Sequence, residues 1–356
     1  MAVDDRGIVV GITTYPDFNG LDGPEHDAKE FYDWLTSPAG GDVPSSRVDY
    51  IVSSAFQPPN TPAPTKHPNA DDVEEAFNRL HLDAVGATGV ARRLGRRLYI
   101  YVAGHGAALP FAFDPDRIDA AFLVADASRW NATHVMARLY ALYFLNAAIF
   151  DEVAVFMDCC RVVYSRLNPR FPTYIDINAI NDAAGQRRAF FAFATKWALT
   201  AREKPIGGQP RGIFTAALMK GLKSAGANPD GTVTSSSLRN YLLNHMKDLL
   251  TPEELADPNF PKHPDIPPPA VELVFGTVPP PRVTVSVTFP AVAAAQTIRI
   301  RGEGFKVVAS GQTVAGAPWQ HTGLPRGGYL VEIPSVGLEN DFTLIGDEGV
   351  VNVVLQ

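Results

Sequence analysis

Short apolar runs alternate with longer segments of helical periodicity through most of the chain. Residues 7–14 read as a buried strand, followed by a helix over 25–35 with Ala28, Phe31, Trp34 and Leu35 on one face. Residues 48–53 form a second predicted strand, and 70–94 a long helix capped by Asp71 or Asp72. A third strand over 97–103 is apolar after a basic start. A helix rich in Leu, Tyr and Phe covers 133–149. Strands over 152–157 and 189–195 follow, then helices over 212–222 and 235–246. This alternation predicts an α/β sandwich with a mostly parallel central sheet. Near-continuous Val, Ile, Tyr and Phe runs mark strands buried on both faces.

The pattern breaks in a proline-rich stretch, 251–281, which holds one short strand-like run over 271–275. A first domain is therefore expected over 1–276, with the boundary in that stretch, and a second over 282–356. In the second, Val283, Val285, Val287 and Phe289 alternate strictly. Further short β runs lie at 297–300, 305–308, 329–333, 342–345 and 350–355 between Gly-rich turns. This predicts a small antiparallel β-sandwich.

A length of 356 residues suits one large domain and a small one, and 46% apolar content suits a soluble core. The net charge of -7 gives no basic footprint, which argues against nucleic-acid binding. No apolar run is long enough to span a membrane. The acidic start, Met1 to Arg6, has neither a basic n-region nor an apolar h-region, so no signal peptide is expected. Cys159 and Cys160 are the only cysteines, and an adjacent pair cannot form an ordinary structural disulfide. That usage fits a reducing, cytoplasmic compartment.

Two strand ends carry candidate chemistry. Tyr101-Val102-Ala103-Gly104-His105-Gly106 closes the third predicted strand, and Phe156-Met157-Asp158-Cys159-Cys160-Arg161 closes the fourth. In parallel sheets functional groups gather beyond the carboxyl ends of the strands. A thiol becomes nucleophilic when an imidazole or another positive field favours the thiolate, and the imidazole can then protonate a leaving amine. The Gly106 N–H is placed to face a developing oxyanion. Either motif alone is more often a turn histidine or a packed cysteine. Together they have the spacing of a cysteine with a histidine about 50 residues upstream.

On these residues the chain resembles the caspase/metacaspase superfamily, in particular bacterial caspase-like peptidases, over about residues 5–275. Ile8-Val9-Val10-Gly11-Ile12 is similar to the family's first strand, and Leu21 to Ala28 to the opening of its first helix. Tyr99 to Gly106 matches the strand that delivers the histidine, and Asp158-Cys159-Cys160 the Asp-x-Cys of metacaspases. Gly212-Ile213-Phe214-Thr215 and Leu218 resemble the helix after the last core strand. The resemblance implies a caspase-like αβα sandwich, Cys160 as nucleophile, His105 as general acid and base, and backbone N–H groups of Gly106 and Cys160 as oxyanion donors. Cys159 is then a packed neighbour. Two departures stand out. Arg161-Val162-Val163 replaces the usual His-Ser-Gly, and His26-Asp27 replaces Asn-Asp.

The resemblance also implies a basic P1 residue held by two acids, which match Asp27 and Asp158. Two carboxylates in one pocket repel until a cation arrives, and a guanidinium can satisfy both. The competing reading is that Asp27 only caps its helix. Glu203 would favour basic substrates, its neighbour Arg202 would not, and Trp197 is a candidate for the S2 wall. The long polar segment 161–188 carries Arg166, Arg170, Arg187 and Arg188, where family members can cut themselves. Calcium activates parts of the family. Asp114, Asp116 and Asp119 lack a calcium-loop pattern and read as a solvated hairpin, so no metal or other cofactor is assigned. No Gly-x-Ser-x-Gly elbow, zinc ligand set or phosphate loop supports an esterase, a metal site or a nucleotide fold. Bacterial relatives act in stress responses, regulated cell death and antiviral defence, some by activating pore-forming proteins. The non-enzymatic alternative is a catalytically silent scaffold whose β domain binds a protein partner.

Overall fold

The structure is a computed structural model that describes residues 4–56, 66–86, 89–111, 114–163, 170, 172, 174–175, 188–196, 201–258, 260–278, 283–325, 327–344 and 349–356. Along the chain the first elements are β1 (Arg6–Gly11), α1 (Pro24–Thr36), β2 (Val48–Val52), α2 (Ala70–Val85) and β3 (Gly95–Gly104). They are followed by β4 (Gly106–Phe111), β5 (Asp114–Leu123), β6 (His134–Val135), α3 (Ala137–Asn146), β7 (Phe150–Cys159), β8 (Val162–Val163) and β9 (Arg188–Phe193). Then come β10 (Glu203–Ile206), β11 (Gln209–Gly212), α4 (Ile213–Lys220), β12 (Thr232–Thr234), α5 (Ser235–His245), α6 (Pro252–Ala256) and β13 (Val274–Thr277).

Strands β1, β2, β3, β7 and β9 form the central sheet in the order β2-β1-β3-β7-β9, and every pairing is parallel. Parallel strands need crossovers, and the crossover helices bury both faces. Ile8, Val10, Ile100, Val102, Val153 and Val155 face the core shared with Phe77 of α2 and Tyr140 of α3. Val9, Tyr99, Tyr101, Ala154 and Phe156 face the core shared with Phe31 of α1 and Phe214 of α4. This is the αβα sandwich implied by the sequence. Fully burying such side chains contributes about 1.5–3 kcal/mol each.

Several local details set the site. Gly11 ends β1 where α1 crosses it: an added Cβ would lie 2.7 Å from the Ala28 Cβ. That close approach places the first turn of α1, and with it Asp27, over the sheet edge. At the other end of the sheet, Arg97 is buried rather than solvated. Its Nε donates to Glu152 at 2.7 Å, and its Nη1 to the Tyr99 hydroxyl at 2.7 Å and the Val274 carbonyl at 2.9 Å. β3, β7 and β13 are thereby tied together through one guanidinium.

Beyond the central sheet, β6-β5-β4-β8 form a second sheet, in which β4 and β8 run parallel with Ala107 opposite Val162. The expected solvated hairpin is only partly so. Asp119 on β5 is buried and pairs with Arg138 of α3 at 3.4 Å. The side chains of Asp114 and Asp116 lie outside the described residues. Among the described residues no group of His, Cys, Asp and Glu is arranged to hold a metal ion. None of the described helices is long and apolar enough to cross a membrane.

Helix α2 stops at Val85, short of the expected residue 94, because Gly86 turns the chain at φ +53°. Its cap is Asn69, not Asp71 or Asp72. Asn69 Oδ1 accepts the Asp72 N–H at 3.0 Å, and the Asp72 carboxylate accepts the Asn69 N–H at 2.7 Å.

After the proline-rich stretch come β14 (Val283–Thr288), β15 (Thr297–Arg301), β16 (Val307–Gln312), β17 (Trp319–Leu324), β18 (Gly327–Ile333), β19 (Leu338–Leu344) and β20 (Val350–Val354). They make two sheets, β17-β14-β20 and β16-β15-β18-β19, around a core of Val283, Val285, Val287, Ile298, Ile300, Val331 and Ile333. The expectation of a wholly antiparallel sandwich is corrected at one place: β14 and β20 pair in parallel.

Replacing Asn69 by Ala removes half of the reciprocal cap on α2. Denaturant unfolding is expected to show a loss of about 1 kcal/mol. An unchanged midpoint would mean that the cap contributes nothing.

Candidate active site

The strand order reverses at β1, with β2 on one side and β3 on the other, and a crevice forms at such a switch point. A cavity of about 350 Å³ opens there, lined among others by Leu21, Asp27, His105, Asp158, Cys160 and Glu203. The sequence places these residues in four separate segments, and the fold brings them to one edge. Glycine 104 pairs with Cys159 across β3 and β7, so the next residues, His105 and Cys160, leave adjacent strand ends.

His105 is held on three sides. Gly104 turns at φ +152°, and a Cβ there would stand 2.5 Å from the Tyr15 hydroxyl. That hydroxyl accepts the His105 backbone N–H at 2.9 Å and donates to the Leu123 carbonyl at 3.3 Å. The Tyr15 and His105 rings lie 4.6 Å apart between centroids, and Phe18 lies at 5.8 Å. His105 Nε2 is 2.8 Å from the Asn19 carbonyl. A carbonyl only accepts, so Nε2 carries the hydrogen, and in the neutral ring Nδ1 keeps its lone pair.

Cys160 is partly exposed, and its thiol donates to the Ala201 carbonyl at 3.9 Å. Burial pushes this thiol above its usual range, and the Asp158 carboxylate adds to the effect, while Arg202 pulls the other way. Cys159 is buried in the core on the α2/α3 face, and burial raises its thiol further. Gly106 fits directly against both cysteines. An added Cβ would lie 2.8 Å from the Cys159 Sγ and would also strike the Cys160 carbonyl. Arg161, which follows Cys160, turns away into a structural role. It pairs with Asp265 and lies over the Phe193 ring at 4.7 Å.

Asp27 and Asp158 meet at Gly212. A Cβ on Gly212 would stand 2.8 Å from the Asp158 Cγ and 3.0 Å from the Asp27 Oδ2. Asp27 does not cap α1: the N-cap is Gly23, and no side chain bonds the first turn there. Instead Asp27 Oδ2 accepts the Gly212 N–H at 2.7 Å, and Oδ1 accepts from Arg211, which also pairs with Glu30. Asp158 uses one oxygen, Oδ2, for both the Thr215 N–H at 3.1 Å and the Thr215 hydroxyl at 2.7 Å. Burial raises Asp27 to about 7, with the Asp158 charge adding to it and Arg211 opposing. Burial also raises Asp158 to about 6, against its bonds to Thr215.

Glu203 lines the same cavity, but its carboxylate is engaged by the backbone. It accepts N–H groups of Asp22 at 3.1 Å and Gly23 at 2.8 Å, fastening β10 to the loop before α1. Arg202 rests over the Phe260 ring at 5.8 Å. Trp197 lies outside the described residues. Sequence reasoning named Thr215 only within the motif that opens α4, and missed Tyr15, Asn19 and Arg211. Of these only Arg211 left a signal, as a cation next to the glycine that opens α4.

No family model matches the chain. Over 237 residues, 62% of its length, it is 24% identical to a probable protease of a Desulfuromonadales bacterium, and the match covers 26% of that relative. The chain thus spans about a quarter of the curated relative's length. Among solved structures it is similar to caspase-1 from Spodoptera frugiperda, at 14% identity and a TM-score of 0.47, covering 78% of this chain and 91% of that one. It is also similar to a protein from Geobacter sulfurreducens, at 14% identity and a TM-score of 0.43, covering 77% of this chain and 94% of that one. The chain itself is an αβα sandwich whose five-stranded parallel sheet brings a histidine and a cysteine to adjacent strand ends.

Proposed function

We propose that this chain is a cysteine endopeptidase that cleaves after Arg or Lys. The observation that supports it is the shared cavity. His105 and Cys160 line it together with two buried carboxyls, Asp27 and Asp158. The name of the bacterial relative, a probable protease, points the same way.

In this reading His105 Nδ1 takes the Cys160 proton, and the thiolate attacks the scissile carbonyl carbon. The new C–S bond pushes charge onto the carbonyl oxygen, where the N–H groups of Gly106 and Cys160 serve as donors. His105 returns its proton to the amine nitrogen as the C–N bond breaks. A water molecule, deprotonated by His105, then hydrolyses the thioester and restores the thiol. The Asn19 carbonyl holds the ring. Nothing in these steps needs a metal or another cofactor.

The P1 cation would be received by Asp158, whose Oδ1 is not used by Thr215, and by Asp27 in competition with Arg211. Glu203 positions the loop and adds negative charge. By resemblance, the setting is the bacterial cytoplasm during stress, regulated cell death or antiviral defence, with a pore-forming or regulatory protein as target.

Fluorogenic peptides with Arg, Lys or Asp at P1 test this reading. Turnover is expected after Arg and Lys and not after Asp. It should vanish in Cys160→Ala and persist in Cys159→Ala. Absence of Cys160-dependent turnover, with and without calcium, would sink the proposal. Strong cleavage after Asp would refute the acidic pocket.

The pH dependence follows from the two raised carboxyls. Below about pH 6 both are largely protonated, and a charged P1 side chain gains little over a neutral isostere. As pH rises through 6 and then 7 they ionise. The ratio of kcat/KM for arginine over citrulline at P1 is therefore expected to climb across that window. A flat ratio would mean that the carboxyls do not contact P1.

Tyr15→Phe removes the acceptor for the His105 N–H and the donor to Leu123. It is expected to lower stability by about 1–2 kcal/mol and to lower kcat more than it changes KM. Equal kcat in the two proteins would show that Tyr15 does not position the imidazole.

A further inference from the structure

The strand order sets a direction along the active edge of the sheet. Cys160 stands at the end of β7 and His105 at the end of its neighbour β3. Continuing the same way come the ends of β1 and then β2. There a second, larger cleft of about 740 Å³ opens, whose lining includes Thr13, Tyr15, Asp22, Glu25, Lys29 and Tyr50. Gly20 and Leu21 line both cavities, so the loop after β1 is a shared ridge between them. Tyr15 ties the two together from below, because it packs on the His105 ring and also borders the second cleft.

The chemistry gives this direction a meaning. A carbonyl attacked by Cys160 must present its leaving nitrogen to His105. The chain that follows the scissile bond therefore departs on the His105 side, toward β1 and β2. The charge of the cleft is also uneven. Lys29 is bound by the Asp33 carboxylate at 2.6 Å, which offsets its charge. Asp22 is exposed and Glu25 partly so, and His26, Tyr15 and Tyr50 are the other titratable groups of the lining. Glu25 uses a single oxygen, Oε1, for the Thr13 hydroxyl at 3.1 Å and the Ser54 N–H at 2.8 Å. Glu25 and Asp33 both stand close enough to the Tyr50 hydroxyl to oppose its ionisation, which burial already disfavours.

From this geometry we infer that the second cleft binds the substrate residues that follow the scissile bond and favours a basic side chain among them. The inference rests on the peptidase reading and names a substrate feature which that reading leaves open. It has the character of a rim electrostatic preference, weakened by salt.

Internally quenched peptides test it, identical up to a P1 arginine and carrying Lys, Ala or Glu at each of the next three positions. At low ionic strength the best lysine peptide is expected to exceed its glutamate counterpart in kcat/KM by about threefold or more. Asp22→Asn and Glu25→Gln should bring that ratio toward one. Equal rates for Lys, Ala and Glu at every position would overturn the inference while leaving the peptidase reading in place. A binding measurement separates the two further. A fluorescent peptide made only of the residues after the bond is titrated into Cys160→Ala and followed by anisotropy. Binding of the lysine peptide, weakened by Asp22→Asn, supports the cleft whether or not turnover is seen, and no binding overturns it.

Discussion

The register of two neighbouring parallel strands carries the whole arrangement. Gly104 sits opposite Cys159, and one residue later both chains leave the sheet. They meet again as β4 and β8, where Ala107 pairs with Val162 in parallel. His105, and Cys160 with Arg161, are therefore the spacers between two parallel pairings that hold them from both sides. A shift of one residue between β3 and β7 would move the cysteine to the other face, since side chains alternate along a strand. That is also the physical difference between the two thiols: Cys159 is the last residue of its strand and points into the core, while Cys160 is the first residue free of it.

The acids at Gly212 show what such an edge costs. Two carboxyls taken out of water raise each other's protonation, and each needs donors to stay in place. The fold supplies them from α4 and the hairpin before it: Thr215 for Asp158, Gly212 and Arg211 for Asp27. Only glycine fits between the two side chains. Arg211 is itself largely shielded from solvent and joined to Glu30, which also binds Lys223, so a small network of charge fixes α1 against α4. The same network tempers the cavity, whose negative potential is smaller than the count of acids suggests.

The central architecture was legible because each strand is apolar on both faces and each helix on one, and those two periods differ. The ends of β3 and β7 were legible because polar, reactive residues interrupt apolar runs there. Other features left no local trace. Tyr15 follows a strand end among threonines and looks like any loop aromatic; its partner His105 lies far along the chain. Helix α2 seemed longer because Val90 and Leu94 continue its spacing, yet Gly86 turns the chain and Val90 is exposed. The parallel pairing of β14 with β20 could not be read at all, since apolar and polar residues alternate alike in parallel and antiparallel edges. Asp119 looked like one of three hairpin acids because its partner, Arg138, sits on a different element.

The hydrogen bonds of the resting site constrain how it could work. Both candidate groups offer their protons to backbone carbonyls, His105 to Asn19 and Cys160 to Ala201. Nε2 is thus engaged in holding the ring, and the nitrogen left to exchange a proton with sulfur is Nδ1. The thiol, raised by burial, gains little from ionising where it stands. In the proposed mechanism its proton turns from Ala201 toward the imidazole before attack. Ala201 belongs to the segment that continues through Arg202 and Glu203 into β10. A peptide lying along that segment would compete for the same carbonyl. Occupancy of the cleft by substrate would then free the thiol at the moment it is needed, without any rearrangement of the sheet.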